Sequence, residues 1–295
     1  MRADFGAVIL SHGRPDRVST YDSLRKFGYT GPITIVCDDM DDTLPDYQAR
    51  YGDEVVVFDK KAAGEKFDVG NNFHEYDSVV FARNACFGIA RELGYRYFIM
   101  LDDDYVRFQW RYDDEGRYFM ASLAGRGGGG VKNLDGIFSL LADFLEESGA
   151  ATVTMAQGGD FLGGAEGQYA GGICLTRKAM NTFVCDSERP FDFLGPINED
   201  VNAYVYHATL GGLFFTLNQL SIVQRDTQSN ASGLTDYYLR TGTYVKSFYT
   251  VMFHPAGATV QMMDGAKNPR LHHLINWNAT TPMILSETLR KESEA

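Results

Sequence analysis

No CxxC pair occurs in this sequence. Its four cysteines, Cys37, Cys86, Cys174 and Cys185, are scattered, and three sit among apolar or small residues. That arrangement argues against a disulfide-built scaffold and against a cysteine-rich zinc site, and suits reduced thiols. No apolar run approaches the roughly 18 residues that would span a bilayer. The stretch after Met1 lacks the charged segment, long apolar run and cleavage site of a secretory leader. The expectation is a soluble, cytoplasmic protein. Positive charge is also short: 27 Lys and Arg against 39 Asp and Glu give a net charge of −12 and a pI near 4.9. Such a surface repels phosphate backbones, which argues against nonspecific binding to duplex DNA or to anionic membrane. The chain has no internal repeat, and no linker long enough to separate domains.

The 295 residues are 44% hydrophobic and 13% aromatic, enough for one large core or two modest ones at a burial of about 75% of the unfolded surface. Over the first hundred residues strand and helix signals alternate. Phe5 to Leu10 and Arg96 to Leu101 read as buried strands, and Ile33 to Cys37 and Glu54 to Phe58 as further strands. Pro15 to Phe27 carries helical spacing after a proline at its first turn, and from Asp77 to Leu93 small and apolar residues fall on one helical face. This regularity predicts a Rossmann-like, doubly wound, mostly parallel α/β sheet with helices on both faces and its ligand crevice at the carboxyl ends of the strands. Downstream, Tyr105 to Arg111 and Arg117 to Met120 read as a hairpin, Gly125 to Gly130 as a floppy loop, and Leu134 to Glu147 as a helix. A strand at Ala151 to Met155, a glycine-rich stretch at Gly158 to Gly172, a helix at Glu199 to Leu210, and strands near Thr259 to Met263 and Leu271 to Asn276 complete the pattern.

The strongest chemical signal is Asp102-Asp103-Asp104 at the end of a buried strand. Three adjacent carboxylates repel one another, and a hard divalent cation relieves that repulsion. Alternation puts Asp102 and Asp104 on one face and turns Asp103 elsewhere; a solvated acidic turn is the competing explanation. Ser11-His12-Gly13-Arg14 and Asp38-Asp39 also follow strands, and Arg83-Asn84 lies near the start of the helix that feeds the acidic strand. Singly, such pairs are ordinary caps or surface charges.

In order, VILSHGRPDR, ITIVCDD and ARNACFGIARELGYRYFIMLDDD resemble the nucleotide-sugar half of GT-A fold glycosyltransferases of the inverting, Asp-x-Asp type, over roughly residues 5 to 105. The resemblance implies one glycosyltransferase domain over 1–295, with a nucleotide-sugar half at 1–105 and an acceptor-binding, catalytic half with a smaller mixed sheet at 106–295. It implies that Ser11, Arg14, Asp38, Asp39 and Arg83 line the donor nucleotide pocket. Asp102 would engage ribose, and Asp102 and Asp104 a Mn²⁺ or Mg²⁺ ion on the diphosphate of a donor such as a UDP-sugar. His12-Gly13 departs from the Thr-Tyr often found at that turn. Tyr169 to Ile173 resembles the strand beneath the donor sugar, where Gly171 and Gly172 make room. Gly195 to Asp200 resembles the element whose carboxylate deprotonates the acceptor: Asp200 as general base, with Glu199 orienting the acceptor or a donor hydroxyl. The acids of this segment equally suit a helix N-terminus. A third metal ligand is often a C-terminal histidine in such enzymes, and His272 or His273, expected on opposite strand faces, could supply it; His254 is the runner-up.

The acceptor is less legible. From Val201 to Lys291 seven basic residues face four acids, a local +3. Arg107, Arg111, Arg117, Arg126, Lys132, Lys246, Lys267 and Arg270 could line a groove for a polyanion, with Trp110, Tyr112, Phe119, Tyr237, Tyr238 and Tyr244 stacking on bases or sugars; core aromatics and solvated charges are the competing reading. YVKSFYTVMFHPAG and KNPRLHH resemble bacteriophage glycosyltransferases associated with TET-like dioxygenases. That likeness implies hydroxymethylated DNA as acceptor. A glycan, protein or small metabolite is the alternative, as is a nucleotide-sugar binding module without turnover. A nucleotidyltransferase is disfavoured, since Ser11 to Arg14 only faintly resembles its glycine-rich loop.

Overall fold

A computed structural model describes residues 1–70, 76–113, 115–118, 130–161, 164–167, 172–224, 245–263 and 269–282. Its centre is a nine-stranded sheet with the order β3-β2-β1-β4-β8-β6-β9-β5, and β7 added on β9. The first four strands in this order, β3 (Val55–Phe58), β2 (Ile33–Asp38), β1 (Phe5–Leu10) and β4 (Tyr97–Asp102), are parallel throughout. Every residue of β1 and β2 is buried, as expected for strands covered on both faces. Odd-numbered residues of β1 (Phe5, Ala7, Ile9) join one core with Leu24 of α1 (Ser19–Lys26) and Phe138 of α5 (Leu134–Ser148). Even-numbered Val8 and Leu10 join the other with Phe81, Cys86 and Phe87 of α4 (Val80–Glu92). The strand period of two thus places helices on both faces, the α/β architecture that the alternation predicts.

Beyond β4 the sheet turns mixed. β8 (Phe183–Asp186) is antiparallel to β4 and β6 (Thr152–Ala156), while β9 (Phe214–Gln224) runs parallel to β6 and antiparallel to β7 (Ile173–Cys174). β5 (Tyr105–Trp110) pairs antiparallel with β9; of the expected partner Arg117 to Met120, only Arg117 and Tyr118 are among the described residues. Of that hairpin the described residues show a single bridge, Tyr112 to Tyr118. β9 is eleven residues long, and its alternate side chains Phe214, Thr216, Asn218, Leu220 and Ile222 are buried, which makes it a continuous partner for β5.

Only Asp103 and Asp104 separate β4 from β5, yet three strands lie between them in the sheet. From Asp102 to Tyr105 the chain can reach at most about 11 Å, whereas four strand spacings on a flat sheet take about 19 Å. β9 must therefore bend back across the carboxyl ends of its neighbours, and the register shift between Met155 and Ala156 marks the irregularity. The acidic turn sits where this bend returns to β4.

α1 begins at Ser19 rather than at Pro15. Its start is fixed by the acidic turn: Thr20 N–H donates to Asp103 O at 3.1 Å, and Thr20 Oγ1 donates to Asp102 O at 2.6 Å while accepting Tyr105 N–H at 2.9 Å. Across the sheet, α6 (Glu199–Thr209) packs against α7 (Val245–Phe253) and α8 (Trp277–Thr280), and β10 (Ala258–Met263) with β11 (Arg270–Ile275) forms a separate two-stranded sheet. No helix among the described residues is long and apolar enough to cross a membrane.

Candidate active site

The parallel register sets Leu10 beside Asp102 and Val36 beside Leu10, so the ends of β2, β1 and β4 form one rim. Asp103 turns back toward β1. Ser11 Oγ donates to its Oδ2 at 2.6 Å, the Arg14 guanidinium lies 3.0 Å from Oδ1, and Tyr47 OH, on α2 (Leu44–Tyr51), accepts Arg14 N–H at 2.9 Å. Ser11 and Arg14 are thus engaged by this carboxylate. Burial still pushes Asp103 up to about 6, against the pull of Arg14 and Ser11. Asp104 is pushed further, up to about 7, by burial and then by the charges of Asp102 and Asp103.

The end of β2 is built differently. Asp38 is buried and accepts from Lys60 Nζ at 3.1 Å and from Met40 N–H at 3.2 Å, with His12 Nδ1 at 2.8 Å. Burial works to raise the Asp38 carboxyl, but His12 and Lys60 outweigh it and hold it below the ordinary carboxylate range. The hydrogen bond to Asp38 raises His12 in turn, against burial. Asp39 is exposed and accepts Lys60 N–H at 2.9 Å, where α3 (Lys60–Gly64) starts. Lys60 and the pairing role of His12 escape sequence reasoning, although Lys60 stands two residues past the end of β3.

Arg83, on α4, lies at the centre of the rim, only 3% exposed. Its Nε donates to Glu199 Oε1 at 2.8 Å and its Nη2 to Asp102 Oδ1 at 3.0 Å. Its guanidinium carbon sits 5.4 Å from the centre of the Phe183 ring and 5.6 Å from that of Phe193. Burial opposes its charge, but Asp102, Glu199 and Asp200 hold it protonated. The buried face of Arg83 therefore meets two carboxylates and two rings.

Asp200 opens α6 beside Glu199, and both side chains are buried. Asn198, the residue before the helix, adopts φ 59°, a left-handed conformation that asparagine tolerates better than most residues. Its Nδ2 lies 3.3 Å from Lys246 O, 3.0 Å from Thr250 Oγ1 and 3.1 Å from His273 Nδ1, which ties the helix start to α7 and β11. Burial, then the neighbouring Glu199, pushes Asp200 up to about 7, opposed by Arg83. Lys178 feels Asp200 as well: burial and Arg177 push its amine down to about 8 while Asp200 pulls the other way. Lys178 also reaches Asp160 at 3.5 Å. No motif marked it.

The two histidines of β11 do not point to opposite faces: their ring centroids are 4.2 Å apart. His273 is pushed down to about 3 by burial and by the charges of His272, Lys246 and Lys178, so it is neutral at the helix start. Among the described residues no three His, Cys, Asp or Glu side chains gather to hold a metal; Asp102, Asp104 and His272 are not such a group. His254 is buried, its Nε2 3.4 Å from Ala279 O. Gly172 has φ 79° with open space where a Cβ would stand, whereas Gly171 lies outside the described residues, as do Phe119, Arg126, Tyr237, Tyr238, Tyr244 and Lys267. Arg111 leaves the expected groove: it is buried, its Nε donates to Ser221 Oγ at 2.8 Å, and it stacks on Phe161. Arg117 is paired within its own turn, to Asp113 and Glu115.

A protein-family model described as TET-Associated Glycosyltransferase matches residues 5–233. No curated protein matches the sequence. Among solved structures, a mycobacterial protein is similar at 12% identity and a TM-score of 0.46, over 96% of this chain and 85% of that one. Glucosyl-3-phosphoglycerate synthase from Mycobacterium tuberculosis, in complex with Mg²⁺ and uridine diphosphate, is similar at 12% identity and a TM-score of 0.44, over 92% and 87%. TarS 1-349 of S. aureus, in complex with UDP-GlcNAc, follows at 9% identity and a TM-score of 0.38, over 80% and 64%.

Proposed function

Because the chain belongs to the TET-associated glycosyltransferase family, we propose that it moves a sugar, with inversion, from a nucleotide-sugar donor to the hydroxyl of a 5-hydroxymethylpyrimidine in phage DNA. The observation that carries the reading is the Asp102–Arg83–Glu199 bridge: one buried guanidinium pairs the donor-side carboxylate with the carboxylate that opens α6 beside Asp200.

The donor set fits a hard divalent ion. Asp102 has one oxygen on Arg83 and a side chain 31% exposed, and Asp104 carries a charge that its surroundings penalise. Two carboxylates without a third side-chain ligand suit Mn²⁺ or Mg²⁺, which keep water and phosphate oxygens in their coordination sphere. Asp102 and Asp104 would hold the ion, which when bound stabilises the leaving diphosphate as a Lewis acid.

The chain's own residues do the rest. Asp200 takes the acceptor's proton as that oxygen bonds to the anomeric carbon and the bond from that carbon to the diphosphate breaks. A carboxyl raised by burial toward neutral pH suits this work, since it can be ionised there and is still basic enough to receive the proton. Buried Asp103 holds Ser11 and Arg14 in place, and Gly172 leaves space for the donor sugar. A base in duplex DNA reaches such a crevice when its nucleotide is turned out of the stack. Lys178, near Asp200, and the mildly basic last third support a phosphate-bearing acceptor.

The test incubates radiolabelled nucleotide sugars and Mn²⁺ with hydroxymethylcytosine DNA, unmodified DNA and simple sugars. Label confined to the modified DNA is the expected result. Label on simple sugars alone would assign the same chemistry to a small acceptor, and donor binding without transfer would assign a binding module.

A further inference from the structure

Resting on the donor assignment above, we infer that Glu199 is a positioning residue of the donor site: through Arg83 it holds Asp102 in the orientation that receives the nucleotide sugar. Glu199 sits at the start of the helix that carries the base, which made it a candidate for touching the acceptor. Its carboxylate is instead 5% exposed and spends Oε1 on Arg83 Nε at 2.8 Å. Arg83 cannot turn to face a ligand, because Phe183 and Phe193 flank its guanidinium and Met100 Sδ lies 3.8 Å from Nη1. What Arg83 can do is fix Asp102: Nη2 takes Oδ1 at 3.0 Å, and among the described residues Oδ2 accepts no protein hydrogen bond. One cation on α4 thus serves two carboxylates, Asp102, 19 residues further along the chain, and Glu199, 116 residues further along. Removing the charge of Glu199 leaves Asp102 as the one directly bonded counter-charge of this buried cation among the described residues. Arg83 then neutralises Asp102 more fully, and the carboxylate attracts a metal-bound diphosphate less.

The experiment is calorimetric titration of the whole chain with UDP, GDP, CDP and ADP in Mn²⁺, which requires no turnover. For the nucleotide that binds the unsubstituted chain, Glu199→Gln is expected to weaken affinity about fivefold or more, the scale of coupling between sites. Asp102→Asn should weaken it too, and the double variant should bind no worse than Asp102→Asn alone, because Glu199 acts through Asp102. Thermal unfolding without ligand checks the fold, and Glu199→Asp replaces Glu199→Gln if the latter does not fold. Unchanged affinity in Glu199→Gln with loss of turnover would return Glu199 to the acceptor and overturn the inference, as would additive losses in the double variant. An unsubstituted chain that binds none of the four nucleotides would instead overturn the donor assignment itself.

Discussion

Asp38 and Asp104 both stand at the carboxyl end of a buried parallel strand, yet their surroundings treat them oppositely. Asp38 is supplied with His12 and Lys60 and is held charged. Asp104 has two acids for neighbours and is pushed toward its neutral form, as Asp200 is across the rim. Asp38 is satisfied by cations of the fold itself. An acid denied them stores unfavourable energy that a cation or a transferred proton can release.

The sharpest way to test the contrast is at Asp200. Asp200→Asn should lower kcat by about 10²–10⁴, the usual contribution of a general base, while calorimetry finds nucleotide affinity within about twofold of the unsubstituted chain. The base works deprotonated, so in the unsubstituted chain the rate should climb as pH rises through about 7 and level off above it. A rate flat from acid to neutral pH would remove Asp200 from the role.

Asp104→Asn sharpens the comparison from the stability side. A carboxyl raised from 3.8 to about 7 in the fold adds stability that is complete below the unfolded value and lost as pH rises through the folded one. In metal-free protein with chelator, Asp104→Asn should flatten that decline and raise Tm above neutral pH by roughly 2–4 °C. The same variant should lose the Mn²⁺-dependent stabilisation by nucleotide. A lower Tm in chelator would break the comparison.

The smallest effect belongs to the satisfied side. His12, raised above its ordinary 6.5 by Asp38, adds stability below that value and loses it as pH rises through the folded one. Asp38, lowered, adds stability above 3.8 and loses it as pH falls. Because the His12 ring is 45% exposed, His12→Ala should cost under about 1 kcal/mol at about pH 6 and close to nothing at about pH 9, by urea unfolding.

Much of this was legible in advance, for definite reasons. The four parallel strands announced themselves as short unbroken apolar runs, and Asp38, Asp39 and Asp102 to Asp104 stand at the ends of two of them. β9 stayed hidden: FFTLNQLSIVQ places Thr216 and Asn218 at buried positions, where apolar residues mark a strand, and their polar side chains are paired within the fold. The candidate residues were visible as types, but their pairings were not. That Asp103 takes Arg14, and that Arg83 links Asp102 to Glu199, depends on contacts that no sequence spacing encodes.

The bend of β9 also dictates an order of assembly. The four parallel strands lie within the first 102 residues, so their pairing needs nothing further along the chain. Tyr105 to Trp110 comes next in synthesis, yet its partner ends at Gln224. A nascent chain therefore carries β5 without its ladder partner for more than a hundred residues of elongation, although Gln109 can bridge to Gly130 sooner. The turn that gathers the three aspartates is then closed among the last steps, when the strand that returns to it has been made.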